Sequence, residues 1–178
     1  APSAVLSWTD PQVADFERLS VTPMVAMAAQ YAAWADRAAA IAALQSEADA
    51  PWVQEIVDGL RITGLRAQHG HDVYTTVLAL RAALNARDYA AIDAAAAQVA
   101  TARAVTTTAA DIVAQRETAY RYPLELSTAG DEVGTPGALA NTTIYPYRYL
   151  SRTHRLFYWT RPDAQLTAMF GFDLVSVN

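Results

Sequence analysis

The sequence contains neither cysteine nor lysine among its 178 residues. The absence of cysteine excludes disulfide bonds, thiolate metal sites and a cysteine nucleophile. Charged residues make up only 17% of the chain, and the formal net charge is −5. An acidic chain lacks the basic face that releases counterions from nucleic acid or meets anionic lipid. We therefore expect a protein partner or a small ligand, and no nucleic acid.

Long apolar runs are absent as well. Charged residues such as Arg37 and Glu47 interrupt every alanine-rich stretch, so the sequence predicts no transmembrane segment. Alanine itself is abundant, with 39 residues, and it is the strongest helix former while adding little buried area. This composition predicts closely packed helices in one domain. The use of arginine as the only strong base, together with the alanine excess, indicates a GC-rich coding bias and a bacterial source.

Helix start signals recur along the first 121 residues. Asp10, Thr22 and Asp49 each stand one or two positions before a proline and mark a helix start. Asp88 marks a fourth start as a capping residue without a proline. Between these starts apolar residues recur every three or four positions, and the longest such segment runs from Trp52 to about Ala86. Pro123 ends the last one, because proline disfavours helical geometry in the residue before it.

Gly64, Gly70 and two histidines lie within the longest predicted helix. Gly64 and Gly70 each cost about 1 kcal/mol relative to alanine, which predicts a close helix contact or a break near residues 68 to 71. His71 falls on the predicted apolar stripe, and His69 does not. We expect His71 to be buried and hydrogen-bonded and His69 to be solvated. Side chains two positions apart on a helix point away from each other, so the pair is a poor metal site.

The pattern predicts an all-α fold, an up-down helical bundle of three to four long helices. We expect a single domain over residues 1–178, with an N-terminal tail at 1–9 and the main helices at 10–121. An irregular loop at 122–145 and an aromatic-rich C-terminal segment at 146–178 follow. Within that segment we expect a helix that closes near Thr160 to Pro162, a short helical piece around 164–170, and strand-like alternation at 172–177.

The chain lacks the known catalytic and cofactor signatures. Phosphate loops, nucleophile elbows, dinucleotide-binding glycines and zinc-protease motifs are absent, as is the Glu-x-x-His pair of diiron bundles. We predict no catalytic residue, no metal site and no cofactor.

An aromatic and arginine cluster is the strongest binding feature. Ten of the seventeen aromatic residues lie from position 120 onward. Aromatic faces beside guanidinium groups stack on sugars, aromatic ligands or protein surfaces. The alternative is that these rings fill the thin core left by alanine-rich helices, while the arginines cap helix ends. The candidate ligand- or partner-binding residues are Tyr145, Tyr147, Arg148, Arg152, His154, Tyr158 and Trp159, with His71 added from the helical region.

The order of features resembles a domain of a known enzyme class. An alanine-rich bundle is followed by the sequence RETAYRYP at 116–123, a loop, TIYPYRYL at 143–150 and FYW at 157–159. This is similar to the helical domain that follows the catalytic barrel in some large secreted glycoside hydrolases. The catalytic carboxylates of such enzymes lie at the ends of barrel strands, and no barrel is predicted here. The resemblance implies an accessory domain, cut from a larger extracellular or periplasmic protein, which also fits an N-terminus without an initiator methionine.

Three functions remain open from the sequence. The first is a non-catalytic accessory or interaction domain that packs on a larger carbohydrate-active protein through the aromatic cluster. The second is a free-standing small-molecule-binding bundle, with a pocket lined by Tyr31, Trp34, His71 and Tyr74. The third is a histidine-dependent enzyme that uses His71 or His154 with a nearby carboxylate.

Overall fold

The computed structural model describes residues 1–119 and 157–171, and all regular structure in them is helical. The predicted all-α bundle is confirmed. A 3₁₀ helix comes first and a π-helical turn joins α1 to α2. The elements are the 3₁₀ helix Pro2–Ser7, α1 Asp10–Phe16, the π turn Glu17–Val21, α2 Thr22–Ala42, α3 Ala50–Ala86, α4 Tyr89–Ala119 and α5 Phe157–Met169.

The helix starts follow local capping chemistry. Asp88 caps α4 as predicted, since its Oδ1 accepts a hydrogen bond of 3.0 Å from the backbone N–H of Ala91. The prediction for α1 was wrong by one residue, because the N-cap is Thr9 and Asp10 is already helical. Gln12 favours the earlier start, because its Oε1 accepts a hydrogen bond of 2.9 Å from the Thr9 backbone N–H. This is the return bond of a capping box.

Helix α3 is the central helix of the bundle, and it is buried on two faces. At Gly64 it approaches α2. On its other side Ile62 packs with residues of α4 and α5, and so does Val73. A helix covered on two sides does not show one apolar stripe, and the predicted burial of the histidines was therefore wrong. His69 is buried at 4% exposure, whereas His71 is only half-buried.

Gly64 and Gly70 mark the contact of α3 with α2. A Cβ placed on Gly64 would lie 3.2 Å from Tyr31 Cβ and 3.3 Å from the carbonyl oxygen of Ala28. A Cβ on Gly70 would lie 3.1 Å from the Met24 sulfur. The helix runs unbroken through both positions. Of the two outcomes expected from the glycines, the structure has the close contact and not the break.

Enlarging Gly64 should separate α2 from α3. We expect Gly64→Leu to lower the free energy of unfolding by about 1 to 3 kcal/mol, since the new side chain must displace Tyr31 and the α2 backbone. Urea unfolding measures the change, and Ala33→Leu on the exposed side of α2 is the control. Equal stability of the two variants would show that α2 tolerates a shift away from α3.

The chain ends contribute to the same core. The segment expected as an N-terminal tail contains the 3₁₀ helix, with Val5 buried beside Leu166 of α5. The predicted helix end near Thr160 to Pro162 was wrong, because α5 continues through Pro162 to Met169. Burial of Trp159 and Leu166 compensates for the one backbone hydrogen bond that proline cannot donate. The predicted loop at 122–145 and the alternation at 172–177 lie outside the described residues.

None of the helices in the described ranges is both long and apolar enough to cross a membrane.

Candidate functional site

A buried polar network connects α5 to α3 and α4. The Asp163 carboxylate lies 2.7 Å from His69 Nε2 through Oδ1, and its Oδ2 accepts a hydrogen bond of 2.7 Å from the Thr106 hydroxyl. Both members of the His69–Asp163 pair are buried, at 4% and 7% exposure. One turn on, the Thr167 hydroxyl donates to the Asp163 carbonyl oxygen and accepts a hydrogen bond from Arg103. The network satisfies a carboxylate that would otherwise be costly to bury.

Trp159 covers this network from within the core. Its ring centroid lies 5.3 Å from that of His69, with the ring planes tilted by 36°, and Ile62 and Val113 pack around it. In the described part of the chain the indole Nε1–H has no hydrogen-bond partner. Because His69 and Asp163 are closed off from solvent, a substrate cannot reach the pair in this arrangement. The His69–Asp163 pair therefore serves to hold α5 against the bundle.

A second polar cluster surrounds His71. Its Nδ1 lies 3.0 Å from Asp72 Oδ1, which also accepts a hydrogen bond of 2.7 Å from the Gln68 amide. The Thr75 hydroxyl lies 3.4 Å from His71 Nε2. The residue order resembles a hydroxyl, a base and an orienting carboxylate, but 3.4 Å is long for proton transfer. All four residues come from neighbouring turns of α3, and the cluster is half-buried.

A metal site finds no support in the described ranges, where no group of three or more His, Asp or Glu side chains is placed to hold an ion.

Helix α2 exposes a line of large apolar side chains. Met27, Trp34 and Ile41 recur at seven-residue spacing, which places them on one face of the helix. They remain 47%, 40% and 55% exposed, respectively. Trp34 is fixed by an edge-to-face contact with Tyr31, with ring centroids 5.2 Å apart. We call these three residues the α2 apolar face.

An open groove runs along the other side of α2. Helices α2 and α4 both pack on α3 but not closely on each other, which leaves two adjoining depressions with α3 as their floor. Their volumes are about 510 and 790 Å³, and Arg61 and Ile112 line both. Alanines of α2 form most of the wall. None of the four residues predicted to line a ligand pocket lines either depression. Those residues are Tyr31, Trp34, His71 and Tyr74.

No family model, curated protein or solved structure matches this chain. The candidate site is therefore defined by its own geometry.

The predicted binding residues fall in three groups. Trp159 is 1% exposed and lies in the core, so the prediction that it contacts a ligand or partner does not fit this structure. Its ring fills space between alanine-rich helices, which was the alternative interpretation of the aromatic cluster. His71 is partly accessible, at 26% side-chain exposure. Tyr158 belongs to α5, but its side chain is outside the description, and the remaining candidates, Tyr145, Tyr147, Arg148, Arg152 and His154, lie outside the described residues.

Sequence reasoning missed the partners in the buried network. Thr106 carried the available signal, because it falls at the three- and four-residue spacing of the apolar residues that follow Asp88, where a hydroxyl needs a partner. The acidic partner, Asp163, is 57 positions further along the chain, and no local pattern connects the two.

Proposed function

We propose that this chain is a non-catalytic helical interaction domain, which packs as an accessory unit against a protein partner or the remainder of a longer chain. The observation that carries the proposal is the α2 apolar face. Only Ala35 is buried among the 21 residues of α2, so most of this helix has no cover within the described structure. A helix with apolar residues on its uncovered side is typical of a surface that meets another protein.

The size of the α2 apolar face supports an interface. Its three side chains expose on the order of 300 Å² of apolar surface, which is within the range of the largest apolar patch on a typical single chain, a patch that is often functional. Tryptophan and methionine are also enriched at the centres of protein interfaces. Trp34 is held in place by Tyr31, and a side chain that is already ordered loses less entropy on binding.

The proposed surface differs from the one expected from the sequence. The aromatic cluster is mostly outside the described residues, and Trp159 is buried. The α2 apolar face takes its place in the proposal. A secreted carbohydrate-active parent protein is the finer part of the proposal. Its only support is the resemblance in the order of features and in the segments at 116–123, 143–150 and 157–159.

Oxidative footprinting tests the proposal on the natively expressed gene product. We expect its intact mass or native assembly to exceed the 19.2 kDa of this chain. Hydroxyl-radical oxidation of Met27 and Trp34 should be several-fold slower there than in the isolated chain, because the partner covers them. Tyr89, which is 80% exposed at the start of α4, is the internal reference. A 19.2 kDa monomer whose Met27 and Trp34 react at the isolated-chain rate would refute the interaction domain.

Small-molecule binding is the second candidate function, and the groove along α2 supports it. Ligand sites usually occupy about 300 to 1,000 Å³, and each depression falls in that range. Such sites enclose most of the ligand, however, and both depressions are open along their length.

A further inference from the structure

The groove between α2 and α4 has the dimensions of a helix-binding site. Its α2 wall extends from Val25 to Ala43, which corresponds to about 27 Å at the rise of an α-helix. The two depressions follow one another along this wall and share Arg61 of the floor. A compact small molecule would fill one depression, whereas a helix of about 18 residues would fill both. The length of the groove therefore favours a helix.

The walls allow such a helix to come close. Ala28, Ala29 and Ala32 line the first depression from α2, and Ala39 and Ala42 line the second. Side chains this small let two helix backbones approach closely, as Gly64 already does between α2 and α3. Leu65 and Ile112 supply larger apolar surface at the floor and the opposite wall. The groove thus matches the apolar face of an amphipathic helix.

The charged side chains at the groove indicate which charges a bound partner should carry. Asp36 stands on the α2 wall of the first depression and Glu47 at the end of the second, and both are exposed. Arg61 lies where the depressions meet. Asp58 and Glu55 also line the second depression, but we count neither. Asp58 is buried and accepts a hydrogen bond from Gln54, and Glu55 is half-buried and already has an interaction within the chain. Complementary charges on the occupant are bases toward α2 and one acid toward Arg61.

We propose that the groove between α2 and α4 binds an amphipathic α-helix of a partner protein, with arginine or lysine facing Asp36 and Glu47. This inference rests on the proposed function, because it names the partner class of an interaction domain. It uses the side of α2 opposite the α2 apolar face, so the two surfaces can be tested separately. Helix-in-groove binding needs no change in the α2–α3 contact at Gly64.

The test uses the full chain and a designed peptide as the probe. The peptide has about 18 residues, alanine and leucine on one face, two arginines placed for Asp36 and Glu47, and one glutamate placed for Arg61. A second peptide carries the reversed charges. We expect fluorescence anisotropy to give micromolar binding of the first peptide and at least about tenfold weaker binding of the second. Asp36→Lys should reduce the difference between them.

Groove-filling variants locate the binding. Ala32→Trp fills the first depression, and Ala33→Trp, at the next and exposed position, is the matched control. Circular dichroism and thermal unfolding establish that both variants fold. We expect Ala32→Trp to weaken peptide binding at least about tenfold and Ala33→Trp to leave it unchanged. Equal effects of the two variants, or equal affinity for both peptides, would overturn the proposal.

Other occupants give different results, each of which also overturns the helix proposal. If a second copy fills the groove, light scattering shows a dimer that Ala32→Trp dissociates and that excludes the peptide. If the site takes a small apolar molecule, 1-anilinonaphthalene-8-sulfonate binds in an Ala32-dependent way while neither peptide does. Failure of the peptide together with protection of Met27 and Trp34 in the native product would reject the helix site and leave the proposed function standing.

Discussion

Asp163→Ala is expected to lower the free energy of unfolding by about 3 kcal/mol, because it removes the acceptor for the buried His69 and the half-buried Thr106. His69 Nε2–H and the Thr106 hydroxyl both lie 2.7 Å from this carboxylate. His69 is buried, so its donor would be left with the cost of its desolvation, whereas Thr106 is half-buried and would lose its hydrogen bond at a smaller cost. The loss should appear first as separation of α5 from α3 and α4, since Asp163 bonds to both helices.

Urea unfolding followed by far-ultraviolet circular dichroism measures this change. Asp163→Asn keeps one acceptor oxygen and the size of the side chain, so we expect it to cost less than half as much. Asp93→Ala removes an exposed carboxylate from α4 and should stay within about 0.5 kcal/mol of the parent protein. If Asp163→Ala were no more destabilising than Asp93→Ala, the network would not be what holds α5 in place.

The long helices were predictable because their signals are local. Pro23 and Asp88 each stand at a helix start, and the three- and four-residue periodicity identifies α2, α3 and α4 between such signals. The end of the predicted helix at Pro162 failed for the opposite reason. There the cost of one missing hydrogen bond is set against the burial of Trp159 and Leu166, and that burial depends on helices far away in the sequence.

Periodicity did not predict which face of each helix is buried against its neighbours. The predicted apolar stripe of α2 contains Met24, Met27, Tyr31, Trp34, Ala38 and Ile41. The structure turns Met24 and Tyr31 toward α3, while Met27, Trp34 and Ile41 stay exposed. The residue that is fully buried, Ala35, lies beside the stripe and is small enough to allow close approach. An apolar stripe predicts a helix, but it does not show which of its residues the fold covers.

The buried polar network was likewise not predictable from local sequence patterns. His69 and Asp163 are 94 positions apart, and their partnership depends on how α5 lies across α3. His71 looked like the buried histidine because one stripe was assumed for α3. The second buried face of α3, formed toward α4 and α5, could be inferred only once the number of neighbouring helices was known.

Trp159→Ala is the other large expected effect, with a loss of about 3 to 5 kcal/mol in the free energy of unfolding. The ring is 1% exposed and packs against Ile62, Ala109 and Val113, so its removal leaves a cavity among three helices. Small alanine side chains cannot expand to fill that space. Chemical unfolding of purified protein gives the measurement, with the slope of the transition checked for two-state behaviour.

Two further tryptophan variants separate a core role from a binding role. Trp159→Phe keeps most of the ring volume and removes a buried Nε1–H that has no partner in the described residues, so its cost should be about 1 kcal/mol or less. Trp34→Ala removes the same side chain from a position that is 40% exposed, and we expect it to cost about 1 kcal/mol. Equal losses at Trp34 and Trp159 would contradict the assignment of one to the surface and the other to the core. A large loss at Trp159 alone would leave Trp34 free to serve a partner, because its side chain would then contribute little to folding.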